Sequence, residues 1–180
     1  MEGKKKTRPR AILVFGAPCS GKTTFCEKFS QRFKAPYYDL RALREEADFT
    51  EKQIHVVLEA IAKTGQNIVI EGGLDTEDER NSVRKLLKLS GYAPTLVWIQ
   101  TDINTIKLRL KLKLRSIARA KEEYDRRIRL MEAPAEIEKP IILSGKHTFE
   151  TQLSHVLAQL QNDSRRFWIR RNYCSPQRLS

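Results

Sequence analysis

The chain has 180 residues and a mass of 20.9 kDa, a length typical of one domain. Hydrophobic residues make up 40 % of it and charged residues 31 %, which supports a packed core and excludes wholesale disorder. The longest apolar runs fall far short of the roughly 18 residues that a membrane-spanning helix needs, so we expect no integral membrane protein.

The net charge of +12 is concentrated in three segments, which are residues 1–10, 103–130 and 164–180. Together they carry +16, so the rest of the chain carries −4. Basic segments attract phosphates and other polyanions. Two interpretations stay open for them: nucleic-acid binding, or a solvated helix face flanked by a disordered N-terminus over residues 1–10 and a basic tail over residues 164–180. In that tail, aromatic side chains could stack on bases or pack onto the core; they are Phe167, Trp168 and Tyr173.

The first predicted element is a buried parallel strand over residues 11–15, where the apolar run AILVF ends at Gly16. Three phenylalanines then recur four residues apart over 22–33, which predicts a helix. A short extended piece follows over 35–39. At its end, Asp39 is placed to cap the next helix.

Two capping-box patterns mark the starts of the following helices. Thr50 pairs with Gln53 ahead of one apolar helical stripe, and Thr76 pairs with Glu79 ahead of another. Between them, the run NIVI at residues 67–70 predicts a further buried strand.

The second half of the chain continues this alternation, with strands predicted at residues 95–100 and 140–143. Asp102 opens a long basic helical stretch, and Thr148 caps a last helix. Leucines at residues 108–114 alternate with bases, which is a strand period, but the helix-forming composition favours a helix. The whole pattern predicts a three-layer α/β sandwich, with a central parallel five-stranded sheet and helices on both faces.

The strongest motif lies between the first strand and the first helix, and it fits the pattern G-x-x-x-x-G-K-[ST]. Its residues are Gly16, Ala17, Pro18, Cys19, Ser20, Gly21, Lys22 and Thr23, and we call residues 16–23 the phosphate loop. Glycines allow the tight turn, and the helix start adds its positive dipole end. Lys22 is suited to the β- and γ-phosphates and Thr23 to Mg²⁺, with Thr24 as the next nucleotide contact. The sequence therefore predicts a nucleoside triphosphate site with Mg²⁺.

From this loop onward the chain resembles small P-loop kinases, a group that includes adenylate-kinase-like enzymes, gluconate and shikimate kinases, zeta toxins, chloramphenicol phosphotransferase and 5′-hydroxyl polynucleotide kinases. The likeness rests on GAPCSGKTTF, YYDLRALRE, NIVIEGG, TLVWIQTDINTIKLRLKLKLR and KPIILSGKHTFETQL, which occur in this order over residues 10–162. The resemblance implies an ATP-binding domain of the P-loop NTPase type over residues 11–163, with a helical basic lid at about 108–130.

The resemblance also implies roles for individual residues. Asp39 would be the base that takes the proton of the acceptor hydroxyl, with Arg41 contacting the acceptor, and Glu71 would orient Mg²⁺ through water. Arg109 and Arg115 match lid arginines that clamp the transferring phosphoryl group. Other lid cations are further candidates for that clamp: Arg119, Arg126 and Arg127.

The loop at residues 144–148 would lie near adenine, with Lys146 as a nucleotide contact. The implied function is transfer of the γ-phosphoryl group of Mg-ATP to a hydroxyl of a small molecule or of a nucleic-acid 5′ end. The alternative is a nucleotide-binding ATPase or switch without efficient transfer, because Tyr38 stands where many relatives carry a second acid and Glu71 where they more often carry Asp. The odd number of cysteines, 3, argues against a disulfide framework and favours the cytoplasm.

Overall fold

The computed structural model describes residues 8–173, and within them the side chains of 8–119 and 121–162. The strands are β1 Arg10–Phe15, β2 Tyr37–Asp39, β3 Ile68–Glu71, β4 Ala93–Gln100 and β5 Ile141–Ser144. The helices are α1 Lys22–Phe33, α2 Leu40–Glu45, α3 Glu51–Ala62, α4 Glu77–Leu89, α5 Ile103–Leu114, α6 Ile117–Leu130 and α7 Phe149–Tyr173, with a 3₁₀ turn at Glu136–Glu138. Every predicted strand is present, and both predicted capping boxes form.

All five strands pair in parallel, in the order β2-β3-β1-β4-β5. The predicted five-stranded parallel α/β sheet is therefore confirmed. Because the strands are parallel, their carboxyl ends meet at one edge of the sheet, where open α/β sheets bind ligands. The central pairing of β1 with β3 sets Val14 opposite Glu71 and so brings the end of β3 beside the phosphate loop.

Successive side chains of each strand point to opposite faces of the sheet, and both faces are packed. On one face, Leu13 and Phe15 of β1 join the main hydrophobic core with buried residues of α3 and α4. The intervening residues Ile12 and Val14 are equally buried and point to the opposite face. There α1 contacts β1 and β3, with Phe25 buried among its residues.

The predicted long basic helix is wrong in one respect, because it is divided into α5 and α6. Arg115 ends α5 in the left-handed conformation, with φ 52°, and Ser116 then caps α6 by accepting a hydrogen bond from the Arg119 backbone N–H. The alternating leucines are helical, as predicted, with Leu110 buried and Leu108 exposed. α6 folds back against α5, so the basic stretch forms a helical hairpin.

A buried ion pair that the sequence did not reveal joins α4 to the 3₁₀ turn that follows α6. Arg80 is 0 % exposed, and its Nε and Nη2 each donate to a Glu138 carboxylate oxygen at 2.9 Å. Its Nη1 donates to the backbone oxygens of Leu74, Asp75 and Glu132 at 3.1–3.3 Å. With every guanidinium nitrogen bonded, the cation is compensated in the low-dielectric interior.

The chain divides into two compact units, residues 1–146 and 147–180. In the second unit, the predicted cap is confirmed, since the Thr148 hydroxyl accepts from the Thr151 backbone N–H at 3.3 Å. The backbone of α7 includes residues 164–173, the first part of the predicted tail.

The predictions for the chain ends fall largely outside the described residues. Residues 1–7 and 174–180 lie beyond them, as do the side chains of the three tail aromatics, Phe167, Trp168 and Tyr173. The domain bounds at 10 and 163 therefore stay predictions. Among the helices that the structure describes, none combines the length and apolar character needed to cross a membrane.

Candidate functional site

The phosphate loop leaves the buried end of β1 and enters α1, which is the context that its motif requires. Gly16 adopts φ +146°, and a Cβ atom there would lie 2.3 Å from the Ile99 backbone oxygen of β4. A side chain at this position is therefore excluded by both the backbone conformation and the space. The glycine lets the chain turn sharply against the sheet edge.

Two side chain to backbone hydrogen bonds hold the outside of the loop, and a third joins one of the donors to the loop after β5. The Thr101 hydroxyl donates to the Ser20 backbone oxygen at 3.1 Å. Arg109 donates through Nη1 to the Cys19 backbone oxygen at 3.0 Å and through Nη2 to that of Gly145 at 3.2 Å. Arg109, predicted as a lid cation, thus ties the phosphate loop to the loop after β5.

Lys22 begins α1 and folds back over the loop. Its Nζ donates to the Ala17 backbone oxygen at 2.8 Å. Burial lowers the pKa of this ammonium, while the nearby Glu71 carboxylate acts in the opposite direction. The loop therefore holds a partly desolvated cation at a helix N-terminus, an arrangement suited to binding phosphate.

The carboxylate of Glu71 is the centre of a small hydrogen-bond cluster at the end of β3, and it is only 6 % exposed. Its Oε1 accepts from the Thr23 hydroxyl at 3.0 Å, and its Oε2 accepts from the Tyr37 hydroxyl at 2.9 Å. The buried Cys26 thiol also contacts it. Burial and this carboxylate together raise the pKa of Tyr37, so the phenol stays a donor.

Asp39 ends β2 directly opposite Glu71 in the sheet register. Its Oδ1 caps α2 by accepting from the backbone N–H groups of Arg41 at 2.9 Å and Ala42 at 3.2 Å. A Cβ at Gly72 would lie 2.5 Å from that oxygen, so a glycine is needed for this close approach. The other oxygen, Oδ2, accepts no hydrogen bond from the residues that the structure describes, and Asp39 lines a cleft.

Next to Asp39, the two arginines of α2 form ion pairs with other elements, and we call Asp39 and α2 with these ion pairs the acceptor wall. Arg41 pairs with Asp75, on the turn after β3. Arg44, one helical turn further along α2, pairs with Glu79 at 2.9 Å and with Glu51 at 2.6 Å. Although burial alone raises the pKa of Glu79, the hydrogen bonds from Arg44 and from backbone N–H groups lower it overall. Sequence reasoning missed Arg44, because its two partners come from other elements.

The phosphate loop, Asp39, Arg41 and Glu71 contribute to the lining of one cleft of about 710 Å³. Its lining contains as many bases as acids, six of each: Lys22, Arg41, Lys113, Arg119, Arg126 and Arg127 against Asp39, Glu45, Glu46, Glu71, Glu122 and Glu123. The lining is thus balanced in charge within a chain of net charge +12. The cleft brings together the predicted nucleotide, metal and acceptor residues Lys22, Thr23, Asp39, Arg41 and Glu71.

The resemblance implies Arg109 and Arg115 as the lid arginines, but neither of them lines the cleft. Arg126 and Arg127 line the cleft and both ion-pair with Glu123, Arg126 at 2.9 Å. Arg115 is exposed at the end of α5 and is not among the lining residues.

Lys146, predicted as a nucleotide contact, lies in the loop after β5 and lines a second cavity of about 600 Å³. Its Nζ pairs with Asp102, the N-cap of α5, at 2.6 Å. The hydrogen bond from Lys146 holds the pKa of that carboxyl well below its usual range. Trp98 and Tyr124 give this cavity an aromatic lining.

The fold is similar to those of two solved kinases and of a third solved protein, Kti12. A gluconokinase from Sinorhizobium meliloti superposes with a TM-score of 0.66 at 16 % identity, over 92 % of this chain and 99 % of that one. The APS kinase of Mycobacterium tuberculosis, solved with AMPPNP and APS, gives 0.64 at 18 %, over 86 % and 98 %. Kti12 from Chaetomium thermophilum, solved with ADP-AlF3, gives 0.63 at 15 %, over 84 % and 97 %.

At these identities the comparisons show a shared fold, and the resemblance to P-loop kinases is confirmed at that level. No protein-family model matches the chain, and no curated protein matches it closely enough to count as a relative. The acceptor, and the roles of single residues, therefore have to be argued from the geometry of the cleft.

Proposed function

We propose that this protein is an ATP-dependent phosphotransferase that moves the γ-phosphoryl group of Mg-ATP to a hydroxyl of a small molecule. The observation that carries the proposal is that the phosphate loop and the carboxylate of Asp39 face the same cleft. The fold shared with gluconokinase and APS kinase supports a kinase over other nucleotide-binding classes.

The nucleotide side of the cleft works by positioning and charge. Lys22 supplies a cation to the phosphates, beside the N-terminus of α1. Thr23 and Glu71 offer a hydroxyl and a carboxylate, the hard oxygen ligands that suit Mg²⁺. Bound there, Mg²⁺ would neutralise charge that develops on the phosphates.

On the acceptor side, Asp39 is the general base. One of its oxygens is occupied by the α2 cap, and the other takes the proton of the attacking hydroxyl. Arg41, held by Asp75, borders the acceptor. The cations of α6 that line the cleft, Arg119, Arg126 and Arg127, stabilise the charge that spreads over the transferring group.

The balanced lining favours a small polar acceptor over a nucleic-acid end. A polyanion is bound by uncompensated cations. Here Arg126 and Arg127 share Glu123, and Arg41 is paired with Asp75.

Both cysteines that the structure describes, Cys19 and Cys26, are free thiols, which supports a reducing compartment such as the cytoplasm.

The test is ATP consumption by the purified chain against a panel of hydroxyl acceptors: sugars, nucleosides, aminoglycosides and a 5′-hydroxyl oligonucleotide. We expect Mg²⁺-dependent turnover with one of the small acceptors and a labelled product with γ-³²P-ATP. Turnover with the oligonucleotide alone would overturn the small-molecule acceptor, and ATP binding without any transfer would favour the second candidate.

The second candidate is a nucleotide-binding ATPase or switch without efficient transfer. The use of Asp39 as a helix cap favours it, as does Tyr38 in the place of a second acid. ATP hydrolysis that no acceptor stimulates, and that persists in Asp39→Asn, would select this candidate.

A further inference from the structure

Two neutral hydroxyls share the carboxylate of Glu71, and only one of them belongs to the phosphate-binding motif. Thr23 donates to Oε1 from the first turn of α1, and Tyr37 donates to Oε2 from β2. The two donors come from different elements and are joined only through this carboxylate. Glu71 is therefore fixed at both oxygens.

Tyr37 and its neighbour in β2 have different surroundings. Tyr38 packs against the main core cluster, whereas Tyr37 does not belong to that cluster. The two tyrosines are both half-buried and follow one another in β2. Of these two tyrosines, Tyr37 donates a hydrogen bond from its hydroxyl to Glu71, whereas the Tyr38 hydroxyl makes none with the residues that the structure describes.

The terminal torsion of a glutamate side chain is soft, so the Thr23 hydroxyl alone, even with the weak thiol donor of Cys26 nearby, would hold the orientation of the carboxylate loosely. A second bond, to the other oxygen, removes that freedom. A threonine hydroxyl has one proton and two lone pairs. While its proton is held by Oε1 of Glu71, the lone pairs of Thr23 are available to a cation in the cleft.

We propose that Tyr37 is a positioning residue for the Mg²⁺ side of the site: its hydroxyl fixes Glu71, and Glu71 in turn orients the Thr23 hydroxyl toward the metal. This inference rests on the proposed nucleotide-binding function. Tyr37 touches neither nucleotide nor metal, and it acts only through the carboxylate.

The experiment measures binding of AMPPNP by calorimetry over a series of Mg²⁺ concentrations and also in EDTA. In Tyr37→Phe, we expect the Mg²⁺ concentration for half-maximal enhancement of affinity to rise about fivefold, which is about 1 kcal/mol. The affinity in EDTA should stay within twofold of wild type, because the phosphate loop is unchanged. Tyr38→Phe is the matched control and should leave both values unchanged.

A double-mutant cycle with Glu71→Gln tests the route of the effect. If Tyr37 acts through Glu71, Tyr37→Phe should have no further effect on Mg²⁺ dependence in the Glu71→Gln background. An unchanged Mg²⁺ response in Tyr37→Phe, with or without a lower Tm, overturns the inference and makes Tyr37 a structural residue. A wild type that binds no AMPPNP at all overturns the proposed function as well, which separates the two failures.

Discussion

The two sides of the cleft are built in different ways. The phosphate loop is shaped by its backbone, with Gly16 pressed against Ile99 and with its carbonyl groups bonded to Thr101 and Arg109. The acceptor wall is built from charged side chains that pair across elements, such as Arg41 with Asp75. The phosphate loop is therefore specified by a short sequence motif, whereas the ion pairs form only once distant elements have come together in the fold.

The largest expected effect comes from the buried ion pair behind the acceptor wall. Arg80→Ala leaves the buried Glu138 with Arg84, at 3.7 Å, as its remaining charge partner, and it should lower the free energy of unfolding by about 3 kcal/mol, the lower end of the range for a broken buried pair. Urea denaturation measures it. Replacing both partners, as Arg80→Met with Glu138→Leu, should restore part of the loss, because the buried pair is then removed whole and Arg84, the second cation near Glu138, is 17 % exposed. A double variant as unstable as Arg80→Ala would contradict this explanation.

Next in size is the loss of the cation of the phosphate loop. Lys22→Ala should weaken nucleotide binding by about 1.5–3 kcal/mol, the range for a charge-assisted hydrogen bond, which is roughly 10- to 150-fold. Calorimetry with AMPPNP measures the change. Lys28, on the same helix but outside the cleft lining, provides the control Lys28→Ala. Unchanged affinity in Lys22→Ala would remove the nucleotide from this loop.

Asp39 caps α2 and is also the proposed general base, and substitutions can separate these two roles. Asp39→Asn keeps an oxygen that can cap α2, so stability should change little while phosphoryl transfer is lost. Asp39→Ala should lose transfer and also about 1 kcal/mol of stability. Nucleotide binding should survive in both. Full transfer in Asp39→Asn would place the base elsewhere.

The smallest expected effect on stability concerns the exposed cations of α6. Arg126 is 58 % exposed in its side chain, and its pair with Glu123 is of the kind worth about 0.2–1 kcal/mol. The free energy of unfolding of Arg126→Ala should therefore lie within about 1 kcal/mol of the wild-type value. Its turnover should fall, because the variant lacks a cation that stabilises the transferring group. If turnover and KM both match wild type, Arg126 has no role in transfer.

The contrast between the two sides also explains what the sequence could predict. The strands, the capping boxes at Thr50 and Thr76 and the phosphate loop depend on neighbours within a few residues, and each is found where it was expected. Arg80 and Glu138 are 58 residues apart in the chain, and no local pattern links them. The break at Arg115 needed a left-handed arginine, which carries no sequence signal.

The attachments at the two ends of α6 restrict how this helix can move. Before it, α5 is tied by Arg109 to the Cys19 and Gly145 carbonyl oxygens. After it, the backbone of Glu132 is held by Asp75 and Arg80. Between these attachments, Tyr124 and Ile128 of α6 pack against the cluster of Ile106 and Leu110 of α5. The helix is therefore held along its length, and Arg126 and Arg127 keep their place in the cleft lining without any closing movement.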